Sequence, residues 1–204
     1  MIDIDVVRSD FPVLHKKVYG KPLVYFDNGA TTQKPLCVLD EVRKVYTEYN
    51  GNVHRGVHAM SDRTSEAYEG AREKARSFIN AAGREEVVFT SGTTGSINAI
   101  AYSFGERYIQ QGDEIIVSEM EHHANIVPWQ MLCEATGAVL KVVPIDERGM
   151  LRIDLFQEML SSRTRLVAFT HVSNALGTIL PAAELTRMAK AVGARVLIDG
   201  AQAV

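Results

Sequence analysis

The chain has 204 residues, enough for one domain with a sizeable core and too few to demand two. Its hydrophobic fraction of 46%, charged fraction of 23% and net charge of −3 fit a soluble globular protein and exclude a polybasic nucleic-acid or membrane surface. Its two cysteines, Cys37 and Cys133, lie far apart with no CxxC spacing, so a reducing, cytoplasmic setting is expected rather than a disulfide framework.

The opening stretch MIDIDVVRSDF lacks the positive and apolar regions of a signal peptide. No apolar run approaches the ~18 residues that would span a bilayer. KPLVYFDNGATTQKP reads as a short apolar strand ending in Asp-Asn-Gly, followed by a helix from Leu36 to Tyr49. NGNVHRGVH is glycine-rich and irregular, a functional or packing loop. Beyond it, helix patterns at 64–82, 94–111, 124–137, 153–161 and 181–193 alternate with apolar runs at 86–89, 114–118, 139–145, 165–172 and 195–200. These runs are short, Val/Ile-rich and continuous, as strands buried on both faces are. Strand and helix in alternation predict an α/β fold with a mostly parallel sheet and flanking helices. No repeat or linker interrupts it. The expected organisation is a single domain over 1–204, with 1–60 as an arm, helix and loop and 61–204 as the α/β core. Val204 comes four residues after the last predicted strand, where another crossover should begin, so the sequence reads as the N-terminal part of a longer domain.

Ligands of open parallel sheets bind beyond the carboxyl ends of the strands. Four predicted strands end there in polar residues: Ser91–Thr94, Glu121–Asn125, Ser173–Asn174, and Asp199 with Gln202. In SGTTGS, Gly92 and Gly95 let a backbone approach an anion, and the orphan N–H groups of the following helix would point at it. Neither GK[ST] nor GxGxxG is present, so a single phosphate fits better than a nucleotide; an ordinary helix start is the competing reading. Asp199 suits a protonated heteroaromatic nitrogen, a metal, or a turn cap. One of the adjacent His122 and His123 can stack on a flat ring or move protons. A zinc site drawn from Glu121, His122, His54 and His58 lacks a completing HExxH or Cys/His set, and no metal is expected. Asn174 either bonds a ring substituent or satisfies its own loop, and neither cysteine has the setting of a nucleophile.

Taken in order, SGTT, EHHANIVPWQ, HVSNALGT and DGAQAV resemble the pyridoxal 5'-phosphate site of cysteine desulfurases in the class V aminotransferase group. NGATTQKP and NVHRGVH point to the Suf-type branch, whose members also act as selenocysteine lyases. The resemblance covers essentially the whole chain and implies the large domain of the aspartate-aminotransferase architecture, fold type I. It assigns Thr93 and Thr94 to the phosphate, His122 to the ring face and to proton transfer, and Asp199 to the ring nitrogen. Asn174 and Gln202 would approach the ring hydroxyl side, and Ala30 and His54 would lie near the substrate.

The family reaction turns L-cysteine into L-alanine and passes sulfur, as a persulfide on an enzyme cysteine, to an acceptor protein for iron-sulfur cluster assembly. L-Selenocysteine is a related substrate, and a homodimer is implied. The family's Ser-x-His-Lys lysine, its nucleophilic cysteine and its substrate-carboxylate arginine have no counterpart in residues 1–204. The expectation is therefore a fragment, inactive alone, whose 86–89 strand lacks its neighbours and which is poorly stable or associates. The alternatives are another class V lyase or transaminase, and a short chain that binds the cofactor or phosphate without catalysis.

Overall fold

The structure, a computed structural model, describes residues 2–203. The chain forms two compact units, one ending at Phe89 and one beginning at Thr90.

In the first unit, α1 (Ile4–Ser9) is capped by Asp3, whose carboxylate accepts from the N–H groups of Asp5 and Val6. A two-residue turn at Tyr19–Gly20, both at positive φ, joins β1 (Lys17–Val18) to β2 (Lys21–Pro22). The strand expected over KPLVYF ends at Pro22. Helix α2 (Leu36–Lys44) continues through a π-helical turn, Val45–Tyr49, matching the predicted span. Helix α3 (Ala59–Phe78) starts five residues before the expected 64, because the His58 ring caps it by accepting from the Ser61 N–H at 3.3 Å. Imidazole is not one of the usual start signals, so the pattern alone placed the boundary late. The strand expected at 86–89 is absent. Arg84–Glu86 form a 3₁₀ turn, and among the described residues Val87–Phe89 have no partner strand. An apolar segment with no ladder to join does not register as a strand, and Val88 stays 75% exposed.

The second unit carries the sheet. Helix α4 (Thr93–Ile100) runs into a π-helical turn, Ala101–Gly105, and the short α5 (Glu106–Tyr108), where one helix over 94–111 was expected. A Cβ on Gly105 would sit 2.5 Å from Leu132 Cδ2, so this glycine lets the π turn press against the helix that carries Leu132, Val127–Thr136. Then follow β3 (Glu114–Ser118), α6 (Val127–Thr136), β4 (Val139–Val143), α7 (Ile153–Met159), β5 (Thr164–Thr170), α8 (Ala182–Ala191) and β6 (Arg195–Asp199). The four strands pair in parallel in the order β4-β3-β5-β6. This is the predicted α/β architecture.

Alternation along the strands feeds two cores. Ile115 and Val117 of β3 and Leu166 and Ala168 of β5 pack with Ile97 of α4 and Trp129 and Leu132 of α6. Ile116, Val143, Val167 and Phe169 point the other way, to Phe156 of α7 and Leu185 and Ala189 of α8. The chain steps from β3 to β4 on one side, then returns to β5 on the other. That reversal opens a crevice at the carboxyl ends of β3 and β5, where ligands of such sheets bind.

The opposite end of the sheet is tied by a buried carboxylate. Glu114, 1% exposed, meets Lys141 at 2.8 Å, Arg163 at 3.0 Å and Ser161 Oγ at 2.6 Å. Burial raises its carboxyl, but the bonds from Lys141 and Ser161 and the Lys141 charge outweigh that and leave it below the ordinary value of 4.5. A lowered acid favours the native state above its unfolded pKa, and this support fades as pH falls through the folded one. Glu114→Gln should therefore cost about 1–3 kcal/mol near neutral pH and flatten the loss of stability below about pH 4.5, as read by urea melts across pH. An unchanged acid limb would show that another group controls it.

Candidate functional site

At the start of α4, Gly92 has φ 105° and ψ 172°, a conformation essentially confined to glycine, and no side chain caps the helix. The first N–H groups of a helix have no intrahelical acceptor, so those of Thr93, Thr94 and Gly95 face outward with the positive end of the helix dipole. Thr94 is exposed and Thr93 half-buried. Thr90 Oγ1 and Ser96 Oγ, 2.7 Å apart, brace the loop, and the Ser96 N–H donates to the Gly92 carbonyl at 3.0 Å. Gly92→Ala should cost about 1–3 kcal/mol of local strain and weaken anion binding at this loop. A phosphate titration followed by amide shifts checks it; unaltered binding would remove the loop from the site.

Helix α4 packs against the 3₁₀ turn His123–Asn125, which follows β3. His122 precedes that turn, is exposed, and accepts the Ala124 N–H on Nδ1 at 3.1 Å. In the neutral ring the proton then lies on Nε2. The His123 ring stands edge-on to that of His122, at 87° with 6.2 Å between centroids.

At the end of β6, Asp199 is buried and accepts the Ala201 N–H on Oδ1 at 2.9 Å, which leaves Oδ2 for another donor. Its carbonyl accepts the His171 N–H at 2.8 Å, joining the end of β6 to that of β5. Gln202 is exposed in the turn that follows. In the loop after β5 the buried Ser173 does the bracing: its Oγ accepts from Leu176 N–H at 3.2 Å and its carbonyl from Gly177 N–H at 2.9 Å. The neighbouring Asn174 is exposed. Thr93, Thr94, His122, Asn174, Asp199 and Gln202 thus all lie in the second unit, on the loops and turns that follow its strands or open α4.

Ala30 and His54 belong to the first unit. Ala30 is exposed in the turn after Asp27. His54 has φ 57°, anchors its N–H on Ser65 Oγ at 2.8 Å, and pairs through Nε2 with Glu69 Oε1 at 3.0 Å.

From the sequence, Glu121 is a polar strand-end residue and a metal-ligand type. The structure buries it in the crevice between β3 and β5, where it accepts from Ser118, the Thr170 N–H and Asn125. Burial raises its carboxyl most, the three bonds oppose this, the nearby Asp199 charge adds to it, and the net shift is upward. The available signal was the spacing Glu121, Asn125, Trp129, one polar-tipped residue per helical turn leading into an apolar stretch. Among the described residues, no three His, Cys, Asp or Glu side chains gather to hold a metal ion, and no helix is long and apolar enough to cross a membrane.

Comparison with known proteins gives one family. Residues 24–204 match Aminotransferase class-V. A curated relative named cysteine desulfurase, from Synechococcus elongatus, is 54% identical over 202 residues, covering 99% of this chain and 32% of its own. Among solved structures, the cysteine desulfurase CsdA of Escherichia coli superposes with a TM-score of 0.85 at 36% identity, over 99% of this chain and 49% of that one. An apo cysteine desulfurase from Thermococcus onnurineus gives 0.88 at 36% identity, over 97% and 47%. The chain spans 30% to 50% of the length of the curated relatives it matches.

Proposed function

Because the chain belongs to the class V aminotransferase family, we propose that it is the part of a pyridoxal-phosphate-dependent cysteine desulfurase that holds the cofactor's phosphate, ring face and ring nitrogen. The observation that carries this reading is the meeting, within one unit, of an uncapped helix start and an exposed imidazole on the turn packed against it. A carboxylate at a strand end, with one oxygen to spare, completes the set. The residues suit the group. An uncapped helix start takes a phosphate, a flat imidazole covers a ring, and a buried carboxylate favours a protonated ring nitrogen.

When bound, the cofactor supplies an electron sink for bonds broken around the substrate Cα. In this proposal the N–H groups of Thr93, Thr94 and Gly95, with the threonine hydroxyls, bind the phosphate dianion. His122 lies on the ring face and moves a proton at Nε2, since Nδ1 is committed to the Ala124 N–H. Asp199 holds the proton of the ring nitrogen through Oδ2. Asn174 and Gln202 bond the ring hydroxyl side, and Ala30 and His54 stand near the substrate.

The reading extends to the whole protein: L-cysteine, or L-selenocysteine, as substrate, L-alanine as product, and a persulfide passed to an acceptor for iron-sulfur assembly. It includes the Suf-type branch, a cytoplasmic setting and a homodimer. Exposed apolar residues of α2, Leu36, Leu39 and Val42, support an association surface. The cofactor-bearing lysine and nucleophilic cysteine are assigned outside residues 1–204, so this chain alone is inactive.

Pyridoxamine 5'-phosphate, whose amine cannot condense with surface lysines, tests the reading. Equilibrium dialysis should show it retained at about one equivalent per chain, with pyridoxamine retained far more weakly. Equal retention of both would refute the phosphate assignment.

A further inference from the structure

Buried polar side chains are costly unless every donor and acceptor is matched, so a fully matched cluster inside an apolar core has a single way to fit. One such cluster lies beneath His122. Glu121 Oε1 accepts from Ser118 Oγ at 2.5 Å and from the Thr170 N–H at 2.9 Å, and Oε2 accepts from Asn125 Nδ2 at 2.7 Å. Asn125 Oδ1 accepts from Trp129 Nε1 at 3.0 Å. Ser118, Asn125 and Trp129 are fully buried, and Glu121 and Thr170 nearly so.

The direction of each bond is forced. An indole N–H can only donate, so the oxygen of Asn125 faces Trp129 and its NH₂ faces Glu121. The main-chain N–H of Asn125 in turn donates to the His122 carbonyl at 2.7 Å. Asn125 thereby grips residue 121 by its side chain and residue 122 by its backbone. His122 sits between these anchors, with Nδ1 held by Ala124.

We propose that Glu121 is a positioning residue for His122, acting with Asn125 and Trp129 to lock the turn that presents the imidazole. Its consequence for the cofactor rests on the function proposed above. In E121Q, the new amide can keep its oxygen toward Ser118 and Thr170 only by setting its NH₂ against that of Asn125. Turning Asn125 over would then oppose its NH₂ to the Trp129 N–H. N125D sets two carboxylates face to face. The double change E121Q/N125D satisfies every group again: the introduced amide donates where Glu121 accepted, and the other oxygen of the introduced carboxylate still accepts from Trp129. The cluster keeps one negative charge.

The experiment compares the 204-residue chain with E121Q, N125D and E121Q/N125D, labelled with ¹⁵N-histidine, the His122 signals being assigned by their loss in H122Q. The wild-type ring should show Nε2–H with Nδ1 accepting. E121Q and N125D should lose that pattern and bind pyridoxamine 5'-phosphate about tenfold more weakly, and the double variant should recover both. If E121Q folds and keeps the wild-type His122 pattern, or if the double variant fails to recover it, the proposal is overturned. Should a single variant not fold, recovery in the double variant decides alone. Recovery of the ring pattern with no ligand binding in any form would refute the cofactor reading and leave the positioning role standing.

Discussion

Asp199→Asn should weaken retention of pyridoxamine 5'-phosphate about 30-fold while leaving the fold intact. A unit-charge pair at ~4 Å and an effective dielectric of 20 is worth about 4 kcal/mol, and water reaching the site reduces that by roughly half. Asparagine keeps an oxygen for the Ala201 N–H, so the turn after β6 retains its bond and only the charge is lost. The second consequence is spectroscopic. Without the carboxylate, the ring nitrogen of the bound ligand should deprotonate at lower pH, since the opposite charge that favoured its protonated form is gone. Absorbance against pH measures this, and an unshifted titration with unchanged affinity would place the ring elsewhere.

Phe169→Ala should produce the largest loss of stability. Phe169 is fully buried on the α7/α8 side of the sheet, with its ring edge-on to Phe156 at 5.2 Å between centroids. Truncating a buried phenylalanine removes its transfer energy and leaves a cavity, about 3–5 kcal/mol together. Set against the roughly 5–15 kcal/mol of a typical domain, that removes between about a fifth and all of the stability. Phe169→Leu, which keeps most of the volume, should cost far less. Urea melts of the two variants give the comparison. A small effect for alanine would mean that α7 and α8 do not close over β5 as described.

The sheet was legible where residues carry their own evidence. Four apolar runs, bounded by helix signals and glycine stops, became β3 to β6, and the parallel arrangement followed from their alternation with helices. The stretch 86–89 looked equally strand-like, but a strand is a property of a pair, and the described residues supply no neighbour for it. The helix over 94–111 was read as one piece because periodicity does not register a π turn. That turn reflects the contact that Gly105 permits with Leu132, across 27 residues of sequence.

The candidate site was legible for a related reason. In this kind of sheet the polar residues that follow the strands are the first candidates to face a ligand, so Asn174, Asp199 and the pair His122/His123 could be nominated strand end by strand end; the family resemblance chose His122, and Thr93 and Thr94 follow a segment with no partner strand among the described residues. The role of Glu121 could not be nominated in that way. Three polar side chains stand in a row at 121–123, and which of them turns inward depends on an N–H at Thr170, 49 residues away. Nor did the sequence choose between two uses for Asn174. In the structure the bracing bonds of that loop come from Ser173, whose Oγ and carbonyl accept from the Leu176 and Gly177 N–H groups.

The proposed function requires a phosphate bound at the start of α4 and a pyridine ring held between His122 and Asp199. Amide shift mapping of the ¹⁵N-labelled chain during titration with pyridoxamine 5'-phosphate tests both ends at once. The expected result is saturable, concerted movement of the Thr93, Thr94 and Gly95 amides and of Ala201, whose N–H reports on Asp199, with inorganic phosphate moving only the first three. Saturable shifts confined to other surfaces, or none at these four amides, would contradict it.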